Sequence, residues 1–275
     1  MGYRTIAAIL QASEDTPRVL ACAIDLAKTF GGHIVGVHSE PLPVSYGTGM
    51  GYPDTSYIAI ASEENKKRAA AILAMFRTRV DAADVSAEWY GSESFAGDSG
   101  LAALPTVRSA DLIVAQQVNP DAESISIGDI EALLFESGRP VLLVPYAGKS
   151  QGSSVKRVLI AWNGSKEAAR AAFDALPFIK QAEMAEILVI DGEENGSDAK
   201  GIAAALGRHG ANTAVTELAS GGIAIGDVIA NRAAETEADL VVMGAYSASW
   251  LKEWFFGGAT RTALKSMPAL TLMSR

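Results

Sequence analysis

The sequence predicts an α/β architecture of two tandem doubly wound domains, each an open five-stranded parallel sheet flanked by helices. Three observations carry that expectation. The first is internal repetition. Arg4-Thr5-Ile6-Ala7-Ala8-Ile9-Leu10 opens one half, and Lys156-Arg157-Val158-Leu159-Ile160-Ala161-Trp162 opens the other. Ala110-Asp111-Leu112-Ile113-Val114-Ala115 recurs as Ala238-Asp239-Leu240-Val241-Val242-Met243, and Asp111 and Asp239 stand 128 residues apart, as do Pro140 and Pro268. The second is a series of near-continuous Val/Ile/Leu runs, the pattern of strands buried on both faces of a parallel sheet. The third is the alternation of those runs with amphipathic stretches, which right-handed crossovers fold into a doubly wound sheet.

The elements follow in order. Strands are expected in the first half at 6–10, 33–37, 86–90, 112–115 and 141–144. In the second half they are expected at 158–162, 186–190, 214–218, 240–243 and 269–272. The apolar spacing of Val19, Leu20, Ala23, Ile24 and Ala27, and of Ala70, Leu73, Ala74, Arg77 and Val80, marks helical faces between them. A polar Gly/Ser stretch, Gly148-Lys149-Ser150-Gln151-Gly152-Ser153-Ser154, reads as the linker. The boundary therefore falls near Gln151, giving domains 1–150 and 151–275. One insertion, within 41–60, breaks the symmetry: Pro41 through Pro53 is too rich in Pro, Gly and Tyr for a helix. It reads as a surface loop, with a lid or a partner surface as the alternative.

Composition narrows the function classes. The chain has 275 residues, enough for two domains that each bury a core. A hydrophobic share of 49% against 20% charged marks a globular chain rather than a disordered one. No run of about 18 apolar residues would span a membrane. The N-terminus has no signal-peptide core, so a cytoplasmic protein is the plain expectation. A net charge of −9 repels phosphate backbones and argues against nucleic acid as a partner. The single cysteine, Cys22, lies in an apolar helical pattern and reads as a packed thiol. His33, His38 and His209 stand far apart without ligand spacing, so no metal site is expected.

Ligands of open α/β sheets bind beyond the carboxyl ends of the strands, where strand order reverses. Asn163-Gly164-Ser165 directly follows a strand and opens a helix. These residues cap free amides, and the same amides can receive an anion. Gly244-Ala245-Tyr246-Ser247 follows the Asp239 strand, and Gly257-Gly258-Ala259-Thr260 lies nine residues further on. Small residues at both ends of such a loop let backbone N–H groups approach an anion. Thr260 adds a hydroxyl or caps the helix. In the first half Gln116 and Asp129 stand where Gly244 and Gly257 do, which suits an anion poorly. Trp250, Trp254, Phe255 and Phe256 crowd the intervening loop and suit domain packing, with a base or a partner as alternatives. Asp98-Ser99-Gly100 and Ser220-Gly221-Gly222 read as turns before helices.

The tandem organisation, the Ala-Asp-Leu strand and the late glycine loop resemble the universal stress protein family in its two-domain form. That resemblance covers nearly the whole chain and implies the adenine nucleotide alpha hydrolase-like fold. The family's nucleotide-binding branch carries Gly, two residues, Gly, nine residues, then Gly and Ser or Thr. On this chain the pattern falls on Gly244, Ser247, Gly257 and Gly258, of which Gly244 and Gly257 match. Asn163 holds the place of an Asp that contacts the nucleoside. Val189 matches a valine whose backbone contacts adenine. The resemblance thus implies a stress-response protein of regulatory or protective kind, with ATP or another adenine nucleotide in the second half. It also implies self-association through edge strands, here an internal pseudo-dimer between 141–144 and 269–272, and a homodimer through another surface. The departures at Asn163, Ser247 and Gly258 equally suit a nucleotide-independent scaffold. A weak ATP hydrolase would need a base such as Asp191 or Asp227, and no catalytic residue is placed.

Overall fold

In the computed structural model, residues 2–41, 55–94, 99–119, 127–146, 155–192, 199–245 and 269–275 are described. The first half contributes β1 (Thr5–Ile9), α1 (Thr16–Phe30), β2 (His33–Pro41), α2 (Thr55–Ala83), β3 (Ala87–Ser94), α3 (Ser99–Val107), β4 (Leu112–Gln116), α4 (Ile127–Glu136) and β5 (Val141–Val144). The second contributes β6 (Arg157–Trp162), α5 (Lys166–Asp174), α6 (Leu176–Ile179), β7 (Met184–Ile190), α7 (Ala199–Arg208), β8 (Thr213–Leu218), α8 (Ile225–Glu235), β9 (Leu240–Gly244) and β10 (Leu270–Ser274). All ten expected strands are present, most of them one to four residues longer at one end.

The strands form one ten-stranded sheet in the order β3-β2-β1-β4-β5-β10-β9-β6-β7-β8. Within each half every pairing is parallel. The sole antiparallel pairing among described strands joins the halves, with Val141, Leu142 and Leu143 opposite Met273, Leu272 and Thr271. Each half thus runs outward from this seam in the mirrored sense, so its own first strand lies at a reversal of strand order. Apolar residues of both halves share one buried cluster on each sheet face, so the two cores are continuous across the seam.

The repeated Ala-Asp-Leu motif has a structural reason. Asp111 Oδ2 accepts the backbone N–H groups of Arg4 and Thr5, at 2.7 and 2.9 Å. Asp239 Oδ2 accepts those of Lys156 and Arg157, at 2.8 and 2.9 Å. In both halves the carboxylate ties the start of the fourth strand to the start of the first and fixes their register. Further ties cross between the halves. Tyr3 donates its hydroxyl to the Asp174 carbonyl at 2.6 Å. Its ring packs with Phe30 and Phe178, both at 5.3 Å between centroids. Arg275 lies 4.7 Å over the Phe135 ring of α4.

Three expectations change. In α2 the buried residues are Ile72, Phe76 and Val80, at spacings of four, while Ala70, Ala74 and Arg77 are exposed. Val80 and Leu73 of the expected stripe do pack on the core; the alanines fit a helical period without needing burial and face solvent. The insertion is narrower than 41–60, since β2 takes Pro41 and α2 begins at Thr55; residues 42–54 lie outside the described set, as does the linker 148–154. Asp98 also lies outside it, and Ser99-Gly100 begins α3 itself. Cys22 is fully buried, and burial pushes its thiol up to about 12, so it stays a packed neutral group. No described helix is long and apolar enough to cross a membrane.

Asp111→Ala and Asp239→Ala should each lower stability by about 2 kcal/mol, the scale of hydrogen bonds to a charged acceptor. Urea unfolding measures it; an unchanged midpoint in either variant would refute the register role.

Candidate functional site

In the second half the reversal of strand order lies between β9 and β6, flanked by β7. Three expected site residues meet at the carboxyl ends of these neighbouring strands. Asn163 follows β6 and is exposed, and its Oδ1 accepts the Ser165 N–H at 3.1 Å. Gly164 between them takes φ of 72°, a turn that a side chain would strain. Ser165 then caps α5, its hydroxyl accepting the Ala168 N–H at 3.1 Å. Two amides near the start of α5 are therefore held by side chains of the same tripeptide.

Gly244 closes β9 directly against that helix start. A Cβ there would lie 2.6 Å from both Ala168 N and the Glu167 carbonyl carbon. The missing side chain thus lets the strand end and the first turn of α5 touch backbone to backbone. Val189 is fully buried, opposite Trp162 on one side and Glu217 on the other. Beyond it, Asp191 adopts φ of 53° and accepts the Ser220 N–H at 2.8 Å. Hydrogen bonds from Ser220 hold its carboxyl below the usual range. The carboxylate is therefore committed to the turn at Ser220, not poised as a base. Asp227, in the first turn of α8, keeps a buried Oδ1 without a partner. Ser247, Gly257, Gly258 and Thr260 lie outside the described residues, as do Trp250, Trp254, Phe255 and Phe256.

The register of the two halves gives each of these residues a counterpart. Thr5 opposes His33 as Arg157 opposes Met184, so Leu10 matches Trp162, Gln11 matches Asn163 and His38 matches Val189. Leu112 and Leu240 oppose Ile6 and Val158, so Gln116 matches Gly244. All three positions carry longer hydrogen-bonding side chains in the first half. Gln116 donates to the Asp15 carboxylate beside the start of α1. Gln11 accepts the Ser39 N–H at 3.3 Å. His38 bonds the Leu10 carbonyl through Nδ1 and Glu40 through Nε2, the latter at 3.1 Å. The connection from Leu10 to α1 has five residues, 11–15, where Trp162 to α5 has three, 163–165. The turn before α1, from which Asp15 meets Gln116, is thus two residues longer, whereas a side chain at Gly244 would meet the main chain of α5. Asp129, standing in the place of Gly257, accepts the Gly100 N–H at the start of α3.

Two features of the rims have no signal in the sequence alone. One is the chain His38–Glu40–Arg68, in which the exposed Arg68 grips both oxygens of the buried Glu40 at 2.6 Å. Burial pushes Glu40 up, but hydrogen bonds from Arg68 and His38 outweigh it and bring the carboxyl down to about 2. The alternation His38-Ser39-Glu40 was its only trace, placing His38 and Glu40 on one face. The other is Trp162, whose buried indole N–H has no partner and which immediately precedes Asn163. Among described residues no cluster of three or more His, Cys, Asp or Glu is arranged to hold a metal.

No family model and no curated protein sequence matches the chain. Solved structures do match its fold. A universal stress protein from Archaeoglobus fulgidus aligns over 98% of this chain and 96% of its own, with a TM-score of 0.73 and 19% identity. A putative universal stress protein from Pseudomonas aeruginosa covers 99% of this chain and 93% of its own, with a TM-score of 0.54 and 15% identity. A functionally unknown Pseudomonas aeruginosa protein covers 99% and 92%, again with a TM-score of 0.54 and 15% identity. At such identities the likeness is one of fold, and it extends through both halves.

Two outcomes follow from the local geometry. Gly244→Ala should cost about 1–3 kcal/mol, because its Cβ meets main chain that must shift; thermal unfolding checks it, and an unchanged midpoint would mean α5 moves freely. Glu40 has a folded-state value of about 2 against an ordinary 4.5. Its contribution is full above pH 4.5 and is lost as pH falls toward 2. Glu40→Gln should therefore narrow the stability gap between pH 6 and pH 3 measured by urea unfolding. A gap as wide as that of the parent protein would contradict the assignment.

Proposed function

We propose that this chain is a tandem universal stress protein that binds ATP or another adenine nucleotide at the rim of its second half. On this reading it is a stress-response protein of regulatory or protective kind, with domains 1–150 and 151–275, and not a dedicated enzyme. The observation that carries the reading is the contrast between the two reversal points. At one, Gln11, His38 and Gln116 cross-brace the strand ends; at the other, Asn163, Val189 and Gly244 do not. Asn163 has a side-chain amide free to donate after its oxygen is used in the turn. The unpartnered indole N–H of Trp162 adds a buried donor whose desolvation a ligand would offset. Ser247, Gly257, Gly258 and Thr260 would complete the cradle around phosphate, as the family pattern implies. Binding would shift the balance between conformations of that loop and thereby the surface offered to a partner.

A nucleotide-independent scaffold is the second reading. It is favoured by the self-contained bonding of Asn163 and Ser165, which leaves the helix start satisfied without an anion.

Calorimetry with ATP, ADP and AMP decides between them. One site per chain is expected, with affinity reduced about tenfold in Asn163→Ala for the loss of one hydrogen bond. Gln116→Gly should leave that affinity unchanged. Two sites per chain, or binding abolished by Gln116→Gly, would overturn the assignment to the second half, and no binding at all would favour the scaffold.

A further inference from the structure

The first half carries an unusual set of unmet hydrogen bonds at its own reversal point. Gln117 is 2% exposed, and neither its Nε2 nor its Oε1 has a partner. Gln11 Nε2 is buried without one, although its Oε1 accepts the Ser39 N–H. Gln116 is 4% exposed; its Nε2 is engaged with Asp15, and its Oε1 is unmet. Three carboxamides thus leave two donor groups and two acceptors unsatisfied.

Their placement is not scattered. Ile6, Ala7 and Ala8 oppose Leu112, Ile113 and Val114, so continuing that register sets Gln11 opposite Gln117. Ile9 opposes Val37, so Ser39 flanks Gln11 on the other side, and Ser39 in turn opposes Ser92. Strand alternation puts Gln11 and Gln117 on the face of Ala7, Ile9, Ile113 and Ala115, the face covered by α3 and α4. Ser92, Ser39, Gln11 and Gln117 thus form one polar row across four strands, just beyond an otherwise apolar core.

A buried primary amide with no partner costs about 1–3 kcal/mol for each group left unmet. Evolution of an apolar residue at Gln117 would remove that cost, since Ile113 and Ala115 below it are apolar and fully buried. We propose that the rim of the first half binds an uncharged small molecule through an amide or lactam edge, a hydrogen-bond donor beside an acceptor, paired with the Gln117 carboxamide. The donor–acceptor count sets the chemistry. On the face shared by Gln11 and Gln117 the unmet groups are the two Nε2 groups and the Gln117 oxygen, Gln116 lying on the other face; a carboxylate or phosphate would satisfy only the N–H groups, and an ammonium only the oxygen. An edge that offers one of each satisfies Gln117 in full, as glutamine pairs with the edge of a base. Gln11 Nε2 is then available to a second acceptor on the same ligand. The site differs in place and in chemistry from the nucleotide site proposed for the second half, and neither depends on the other.

Uracil, 2-pyridone, nicotinamide and benzamide serve as uncharged probes, and benzoate as the charged isostere of benzamide. Binding to the full chain is followed by calorimetry and by the side-chain amide resonances of Gln11 and Gln117. The expected result is saturable binding of at least one uncharged probe, with those resonances shifted. Affinity should fall at least tenfold in Gln117→Leu and remain unchanged in Asn163→Ala. Benzoate should bind at least tenfold more weakly than benzamide. Thermal unfolding of Gln117→Leu establishes that the variant is folded. Absence of binding by all four uncharged probes would overturn the proposal, as would retention of affinity in Gln117→Leu or equal binding of benzoate. Loss of ATP binding in the same protein would bear only on the second half.

Discussion

The antiparallel seam between β5 and β10 is the constraint on which the rest of the molecule depends. Each half ends in a short, fully buried and mostly apolar strand, and each such strand would be an open edge if its half stood alone. An exposed apolar edge invites pairing with another chain. Here the two edges satisfy one another, and the apolar side chains of Leu142 and Leu272 enter one buried cluster while those of Leu143 and Met273 enter the other. The seam thereby makes one ten-stranded sheet from two five-stranded ones and leaves β3 and β8 as the outer edges. Tyr3 against Asp174 and Arg275 against Phe135 brace the same junction from the flanking layers.

Within that shared frame, side-chain length at a few rim positions separates the halves. Gly244 lets β9 meet the start of α5 through main chain alone, so the short Asn163-Gly164-Ser165 turn suffices. Gln116 meets the longer turn before α1, which supplies the Asp15 acceptor. Beside it His38 bonds the Leu10 carbonyl and joins Glu40 and Arg68 in a polar chain. A substitution of one residue type, glycine to glutamine, is thus coupled to a loop length and to a polar network around it.

Much of the fold was legible. The Val/Ile/Leu runs located most of the strands, because burial on both faces forces a continuous apolar segment; the edge strands β3 and β8 are more polar. Boundaries were less legible, since strand ends such as Ser39-Glu40-Pro41 are polar and extend by pairing with β3. The stripe of α2 was misplaced in part because its alanines are compatible with either face. At the site, the sequence identified Asn163, Val189 and Gly244 as neighbours of a reversal point, and the register sets them there. The repeat matched Gln116 to Gly244, but gave no hint that Gln11 and His38 are the counterparts of Asn163 and Val189, because that match runs through strand pairing rather than through sequence similarity.

What the sequence determined by itself is the set of local requirements. These are apolar runs that must be buried, glycines where main chains touch, and two Asp residues that each tie the start of a first strand to a fourth. What only the tertiary structure decided is which polar groups are satisfied. Gln117, like Gln116, is one more glutamine in the chain, and its unmet amide exists only because β1, β4 and the α3/α4 layer exclude water around it. Hydrogen-bond satisfaction is a property of the surroundings in space, and no local pattern encodes it.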